Sequence, residues 1–442
     1  MIFLWNIIAI IILLYTLGNI LLFRMSYRFL FKKRDTTRIT GSVNKFYIIV
    51  PLLREQERIH SLFENLSILI KDNSNIHAVF VTTERENLEK IAKRHEYTTF
   101  QLIEKLIKNS TLSRRISHYH YPYYNKVVAE QLNYAVDSIT HEIGYRSINS
   151  YFCFYNADSK ISVNVFNTIN TSSNKVFQQC SLFTSNFKAV KKINYFIACF
   201  GIYQSIWTLK HEIPRLLISS NQAKLLSRLF KKTTLNYCVT HGLIISSEIF
   251  NQIGGFPVTK QGGEDIAIGY ILRSKNIIIE PLPALENSDS PTSIKGLWVQ
   301  LANWYAAILG YWDFYKLLDK NDSQYNAKKH IVLTIQGLYD TISWLLKGWF
   351  ILIFVILGLI IGKMTLTIAI LLINFYLSTI ALFIINSRLD QRIFYQFSNF
   401  DVVMILILYP LSVVSRSFPA ISGLFWFIKT RLGFNFIKLK TE

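Results

Sequence analysis

Cysteine is nearly absent from this chain. Cys153, Cys180, Cys199 and Cys238 are the only four in 442 residues, and they lie far apart. Their separations match no metal-ligand spacing and exclude a disulfide-built fold. They are expected to be reduced packing residues of a cytoplasmic domain. Acidic residues are scarce too: 28 Asp and Glu against 48 Lys and Arg leave a net charge of +20. Nucleic-acid binding is one meaning of such a balance. Here the basic residues are spread along the chain and many flank apolar runs. Anionic lipid headgroups and a phosphorylated substrate account for them better, and no nucleic-acid partner is expected. Internal repeats and low-complexity linkers are missing as well.

A cleavable signal peptide is also not seen. Residues 1–23 carry no charged side chain and are long enough to cross a bilayer. Their basic neighbours, Arg24, Arg28, Lys32, Lys33 and Arg34, follow the run instead of preceding it, and no small-residue cleavage site appears. The expectation is an uncleaved transmembrane anchor with the N-terminus outside and the following chain in the cytoplasm. A length of 442 residues, 51% of them hydrophobic, has room for one large soluble domain plus several membrane helices.

Residues 41–330 read as a mixed α/β domain. An apolar run at 46–53, broken at Pro51, predicts a buried strand leading into a loop. Residues 57–70 carry apolar side chains at helical spacing, 78–81 predict a second strand, and 84–94 and 127–139 predict amphipathic helices. Residues 151–155 predict a third strand, followed by Asn156-Ala157-Asp158. This alternation implies a parallel sheet covered on both faces, with ligands beyond the carboxyl ends of its strands.

Residues 331–428 predict a transmembrane region. Residues 348–362 extended back to about 341, and residues 364–387, predict spans. Two shorter runs, 402–414 and 417–428, are split by Arg416 and bent near Pro410 and Pro419. They predict one broken helix or a re-entrant hairpin. The basic tail at 429–442 is expected in the cytoplasm, which requires an even number of C-terminal crossings. Two spans plus a re-entrant hairpin satisfy this, and so do four spans.

Four groups of residues carry chemistry. Asp158 at a strand end can hold a divalent cation, or simply cap a helix. Glu264 and Asp265 open an amphipathic run: they are dipole-stabilising residues, or Asp265 is a general base. Gln300 and Trp304 are one helical turn apart and can bond and stack a sugar, or mark a helix at the membrane interface. Lys126 and His241 are each a solvated or structural residue, or a substrate contact.

The order of the stretches FYIIVPLLREQERI, VFVTTERE, NKVVAEQLNYAV, YNADS, HGLIISSEIFNQIGGFP, GGEDIAIGYILRSKN and QLANWY resembles the membrane-bound family 2 glycosyltransferases, the cellulose-, chitin- and hyaluronan-synthase-like enzymes. The likeness covers roughly residues 46–311. It implies an α/β GT-A (nucleotide-diphospho-sugar transferase) domain flanked by transmembrane α-helices. It also implies a nucleotide-sugar donor (a UDP-sugar first among candidates), Mg2+ or Mn2+, and inversion at the anomeric carbon. By that resemblance Pro51, Glu55, Thr83, Glu84, Lys126 and Asn133 face the donor. Asp158 with Asn156 holds the metal and diphosphate, and Asp265 is the catalytic base with Glu264 before it. His241, Gly242, Gln300 and Trp304 face the acceptor.

Three positions depart from the family's pattern: Asn156 replaces the first Asp of D-x-D, Arg54 the Asn of P-x-x-N-E, and Asn303 the Arg of Q-x-x-R-W. The last removes a cation that would face pyrophosphate and weakens the case for processive synthesis. The expected activity is a hexosyl transfer of class EC 2.4 at the cytoplasmic face of the membrane, to a polysaccharide or glycan acceptor that can be lipid-linked. Transfer of one sugar to a polyprenyl phosphate, and a non-catalytic glycan-binding or export subunit, remain alternatives.

Overall fold

A computed structural model describes residues 1–32, 44–88, 97–123, 128–142, 145–231, 233–236, 238–259, 262–318 and 326–433. Lys126 lies outside them.

The central sheet grows from β1 (Lys45–Pro51), whose five inner residues are all buried. Such a strand needs cover on both faces, and it has it. β2 (Ile76–Thr83) and β4 (Ser150–Phe154) pair with it in parallel on either side. β3 (Ile116–Tyr121), β5 (Val176–Gln178), β7 (Leu243–Ser246) and β8 (Glu280–Pro281) complete the order β3-β2-β1-β4-β7-β5-β8. β6 (Ser181–Leu182) and β9 (Glu286–Asn287) form a separate parallel pair. The sheet is not wholly parallel as expected, because β7 runs antiparallel to both β4 and β5. A four-residue apolar run carries no signal of direction; tertiary pairing sets it.

Side chains alternate across the sheet. Phe46, Ile48 and Val50 pack with helices Ile59–Asp72 and Thr99–Lys108. Tyr47 and Ile49 face Val128–Thr140 on the other side. The helix expected at 84–94 is seen as a single turn, Arg85–Leu88, and residues 89–96 lie outside the described ones. All four cysteines are buried and free, as expected of packing residues.

The second apolar cluster does not stop at the domain edge. It runs from Ile49 and Phe154 through residues 195–219 into the apolar helices at both ends of the chain. That middle segment is one continuous helix with a π-helical turn at Thr208–Glu212. Among the described residues, four helices are long and apolar enough to cross a membrane: Ile2–Phe31, Ala327–Ile360, Met364–Asn386 and Asn399–Arg431. The last is two helices, Asn399–Ser415 and Ser417–Arg431, broken at Arg416. The break is fixed from outside. A Cβ on Gly348 would collide with the Val414 carbonyl oxygen, and the Gly348 N–H donates to Ser417 Oγ at 2.9 Å.

Gly423 plays a similar part where Ser417–Arg431 crosses Ile294–Ile308. A Cβ there would meet the Ala302 carbonyl oxygen, with Tyr305 Cβ at 3.0 Å. Gly423→Leu is therefore expected to destabilise the protein by about 1–3 kcal/mol, as overpacked sites do. Thermal unfolding in detergent measures it, and an unchanged midpoint would show the crossing to be loose.

Candidate active site

The carboxyl ends of β1, β2 and β4 lie along one edge of the sheet. Beyond β4 the chain turns tightly: the Asn156 N–H donates to Ser159 Oγ at 3.0 Å and the Ser159 N–H to the Asn156 carbonyl at 3.1 Å. Asp158 leaves this turn and its Oδ2 accepts the Asp289 N–H at 3.0 Å. Asp289 also pairs with Arg58 at 3.1 Å. Burial, then the charge of Asp158, raise the Asp289 carboxyl above its ordinary range despite that arginine.

His241 enters from the loop before β7. Gly242 has φ +79°, and a Cβ on it would run into the Gln179 carbonyl oxygen, so no larger residue fits. Its N–H donates to the Phe154 carbonyl at 2.8 Å, which ties the loop to the end of β4. His241 Nδ1 then lies 3.2 Å from the fully buried Glu286 and 2.9 Å from Ser181 Oγ. Burial alone would lower the imidazole, but the Glu286 carboxylate, helped by Asp158 and Glu212, raises it from 6.5 to about 9. The folded state thus favours the imidazolium. Its contribution to stability is complete below about pH 6.5 and fades as pH climbs through about 9. Thermal midpoints are expected to fall across that window, and Glu286→Gln is expected to flatten the fall. An equal slope in the variant would rule the pair out as its source.

Asp265 depends on two glycines. Gly262 and Gly263 have φ of 77° and 83°, and a Cβ on Gly263 would lie 2.8 Å from Ala307 Cβ. This left-handed turn starts the helix Glu264–Ser274 hard against Ile294–Ile308. Glu264 and Asp265 fall in its first turn, where the helix dipole favours carboxylates. Asp265 accepts the Ile266 N–H at 2.8 Å and the Thr240 N–H at 3.4 Å, which places it beside the His241 loop.

These parts converge on one cavity of about 340 Å3. Its sheet wall holds Asn156, Asp158, His241 and Asp289; the Glu264–Asp265 turn also lines it. Gln300, Asn303 and Trp304 line it from Ile294–Ile308. A further wall is made by the π-turn helix and the apolar C-terminal helices, through Trp207, Glu212, Arg215, Asp340, Trp344 and Arg416.

No protein-family model and no curated protein sequence matches the chain. Solved structures do. A mannosyltransferase, PcManGT from Pyrobaculum calidifontis in complex with GDP-Man and Mn2+, is 10% identical at a TM-score of 0.50, with 97% of this chain and 99% of that one covered. S. aureus TarS 1-349 is 12% identical at a TM-score of 0.39, covering 88% and 92%. The chain has a glycosyltransferase fold. It is of the GT-A type, α/β with flanking apolar helices.

Seven of the sequence-derived site residues line the cavity: Asn156, Asp158, His241, Glu264, Asp265, Gln300 and Trp304. Pro51, Thr83 and Glu84 sit at the same strand ends but outside its lining. Glu84 Oε2 lies 2.9 Å from His120 Nε2, and the Glu55 N–H donates to Thr99 Oγ1 at 3.0 Å. Asn133 and Gly242 also lie outside the lining. The Asn133 amide accepts the Phe256 N–H and donates to the Phe256 carbonyl, both at 2.8 Å. Gly242 shapes the backbone of the loop that carries His241. The loop after β1 is clamped by Glu86, which the sequence reading passed over; it accepts from the Arg54 N–H, Gln56 Nε2 and the Thr99 N–H.

Asp289, Glu286, Arg215 and Arg416 were also missed. Arg416 leaves a signal, a lone charge between two apolar runs, but in sequence that charge marks a helix break and nothing more.

Proposed function

We propose that this protein is an inverting family 2 glycosyltransferase that moves a sugar from a nucleotide-diphosphate-sugar to a hydroxyl of a glycan acceptor at the cytoplasmic face of the membrane. One observation carries the reading. Asp158, Asp265 and Trp304 are more than a hundred residues apart at the extremes, yet they line one cavity on a glycosyltransferase fold.

The donor lies across the strand ends with its diphosphate toward Asp158. An oxygen-only donor set of Asp158, Asp289 and the Asn156 amide suits Mg2+ or Mn2+. Asp289 would supply the second carboxylate that Asn156 lacks; burial, and then the charge of Asp158, raise its carboxyl. When bound, the ion offsets charge on the departing diphosphate.

Trp304 stacks the acceptor sugar and Gln300 bonds its hydroxyls. The acceptor oxygen forms the new bond to the anomeric carbon from the face opposite the diphosphate. Its proton passes to Asp265. The bond from the anomeric carbon to the diphosphate oxygen breaks, and that electron pair leaves with the nucleoside diphosphate. The His241 imidazolium adds positive charge on the same wall.

Purified protein offered UDP-, GDP- and dTDP-sugars with Mn2+ tests this. One donor is expected to yield free nucleoside diphosphate. Silence with the whole panel would favour a non-catalytic subunit.

A further inference from the structure

The wall of the cavity made by the π-turn helix and the C-terminal helices carries two arginines, Arg215 and Arg416. Arg416 is 5% exposed and lies in the break of the last apolar helix pair. Its guanidinium stacks on Trp344 at 3.6 Å, with Tyr203 at 4.6 Å and Trp207 at 5.2 Å. One terminal nitrogen donates to the Tyr203 hydroxyl at 2.6 Å, and Nε is buried with no hydrogen-bond partner among the described residues. Arg215 beside it is paired with Asp340 at 2.8 Å. Behind this wall Lys210 and Lys347 both point at the Tyr15 hydroxyl, 3.4 and 3.3 Å away. Among the described residues, neither lysine nor Arg416 has a carboxylate partner. Among the described residues Asp340 and Glu212 are the carboxylates on this wall, and burial works against the charged forms of both Glu212 and Lys210.

Buried charge left uncompensated is costly, and the usual remedy is an ion of opposite sign. Arg416 lines the cavity, so the ion arrives there as a ligand. The donor diphosphate already has a place at the opposite, strand-end wall. Arg416, Asp340 and Trp344 all belong to helices long and apolar enough to cross a membrane. A ligand reaching them has an apolar part among those helices.

We infer that Arg416, with Arg215, binds the phosphate of an acceptor sugar carried on a lipid, leaving that sugar over Trp304 with a hydroxyl toward Asp265. The inference rests on the sugar-transfer reading and names its acceptor. The phosphate is an anchor and is unchanged by the reaction.

The test is binding to the full-length protein in detergent, read by the fluorescence of the tryptophans around Arg416. Farnesyl phosphate, farnesol and inorganic pyrophosphate are the probes. Farnesyl phosphate is expected to bind at least roughly tenfold more tightly than farnesol, the scale of a charged hydrogen bond. Arg416→Gln is expected to remove that preference and Arg416→Lys to keep part of it, with nucleotide-sugar affinity unchanged in both. Equal binding of alcohol and phosphate by the wild type overturns the inference without needing a folded variant. Pyrophosphate binding as tight as farnesyl phosphate, and equally lost in Arg416→Gln, also overturns it, by assigning the site to the donor. Either result leaves donor turnover intact, so the proposed function is judged separately.

Discussion

Asp265→Asn is expected to lower turnover by roughly a thousandfold, within the range that general-base catalysis supplies. Donor affinity should not change, because the acceptor oxygen gains its charge only as the reaction proceeds. The substitution is nearly isosteric. Asn keeps one acceptor oxygen for the Ile266 N–H, and the longer 3.4 Å contact to the Thr240 N–H is the one at risk. The Gly262–Gly263 turn positions the residue through backbone alone, so the helix start survives. Single-turnover assays with saturating donor, beside a titration of donor binding, separate the two effects. Turnover near that of the wild type would remove Asp265 from the mechanism.

Asp158→Ala is expected to act on the other half of the reaction. A metal-stabilised leaving group is worth several kcal/mol, and each ~1.4 kcal/mol is tenfold in rate, so kcat/KM should fall by roughly a hundredfold or more. Donor binding should weaken and lose its dependence on Mn2+, and chelation should affect the variant much less than the wild type. The substitution also strips the Asp289 N–H of its acceptor at 3.0 Å. Asp289→Asn is the companion variant: it retains that backbone contact while removing the second carboxylate, and should shift the metal requirement in the same direction. A variant at Asp158 with unaltered metal dependence would move the cation elsewhere.

Part of this site was legible in the sequence because it is local. The apolar run after residue 44 predicts a strand buried on both faces, and β1 is one. Gly-Gly before Glu264-Asp265 marks a turn that opens a helix, and the left-handed glycines supply it. What escaped is not local. Asp289 meets Asp158 across 131 residues, and no spacing rule joins them. Tyr195–Trp207 is apolar almost all round, so this part of the helix has no wide polar face to betray its period. The helix Thr99–Lys108 and β3 were overlooked although Thr98 and Gln101 form a capping box there. Arg416 was visible as a charge, but only packing against Trp344 turns it toward the cavity.

The Ile294–Ile308 helix that carries Gln300 and Trp304 packs against Ser417–Arg431, the last helix described in the chain. During translation the sheet and its strand-end residues leave the ribosome long before that partner does. The wall that carries Gln300 and Trp304 is therefore unbraced until residues 417–431 have been made. A chain stopped before those residues would hold the strand-end half of the pocket with its other half unbraced, so the proposed activity would depend on a segment far from the sheet.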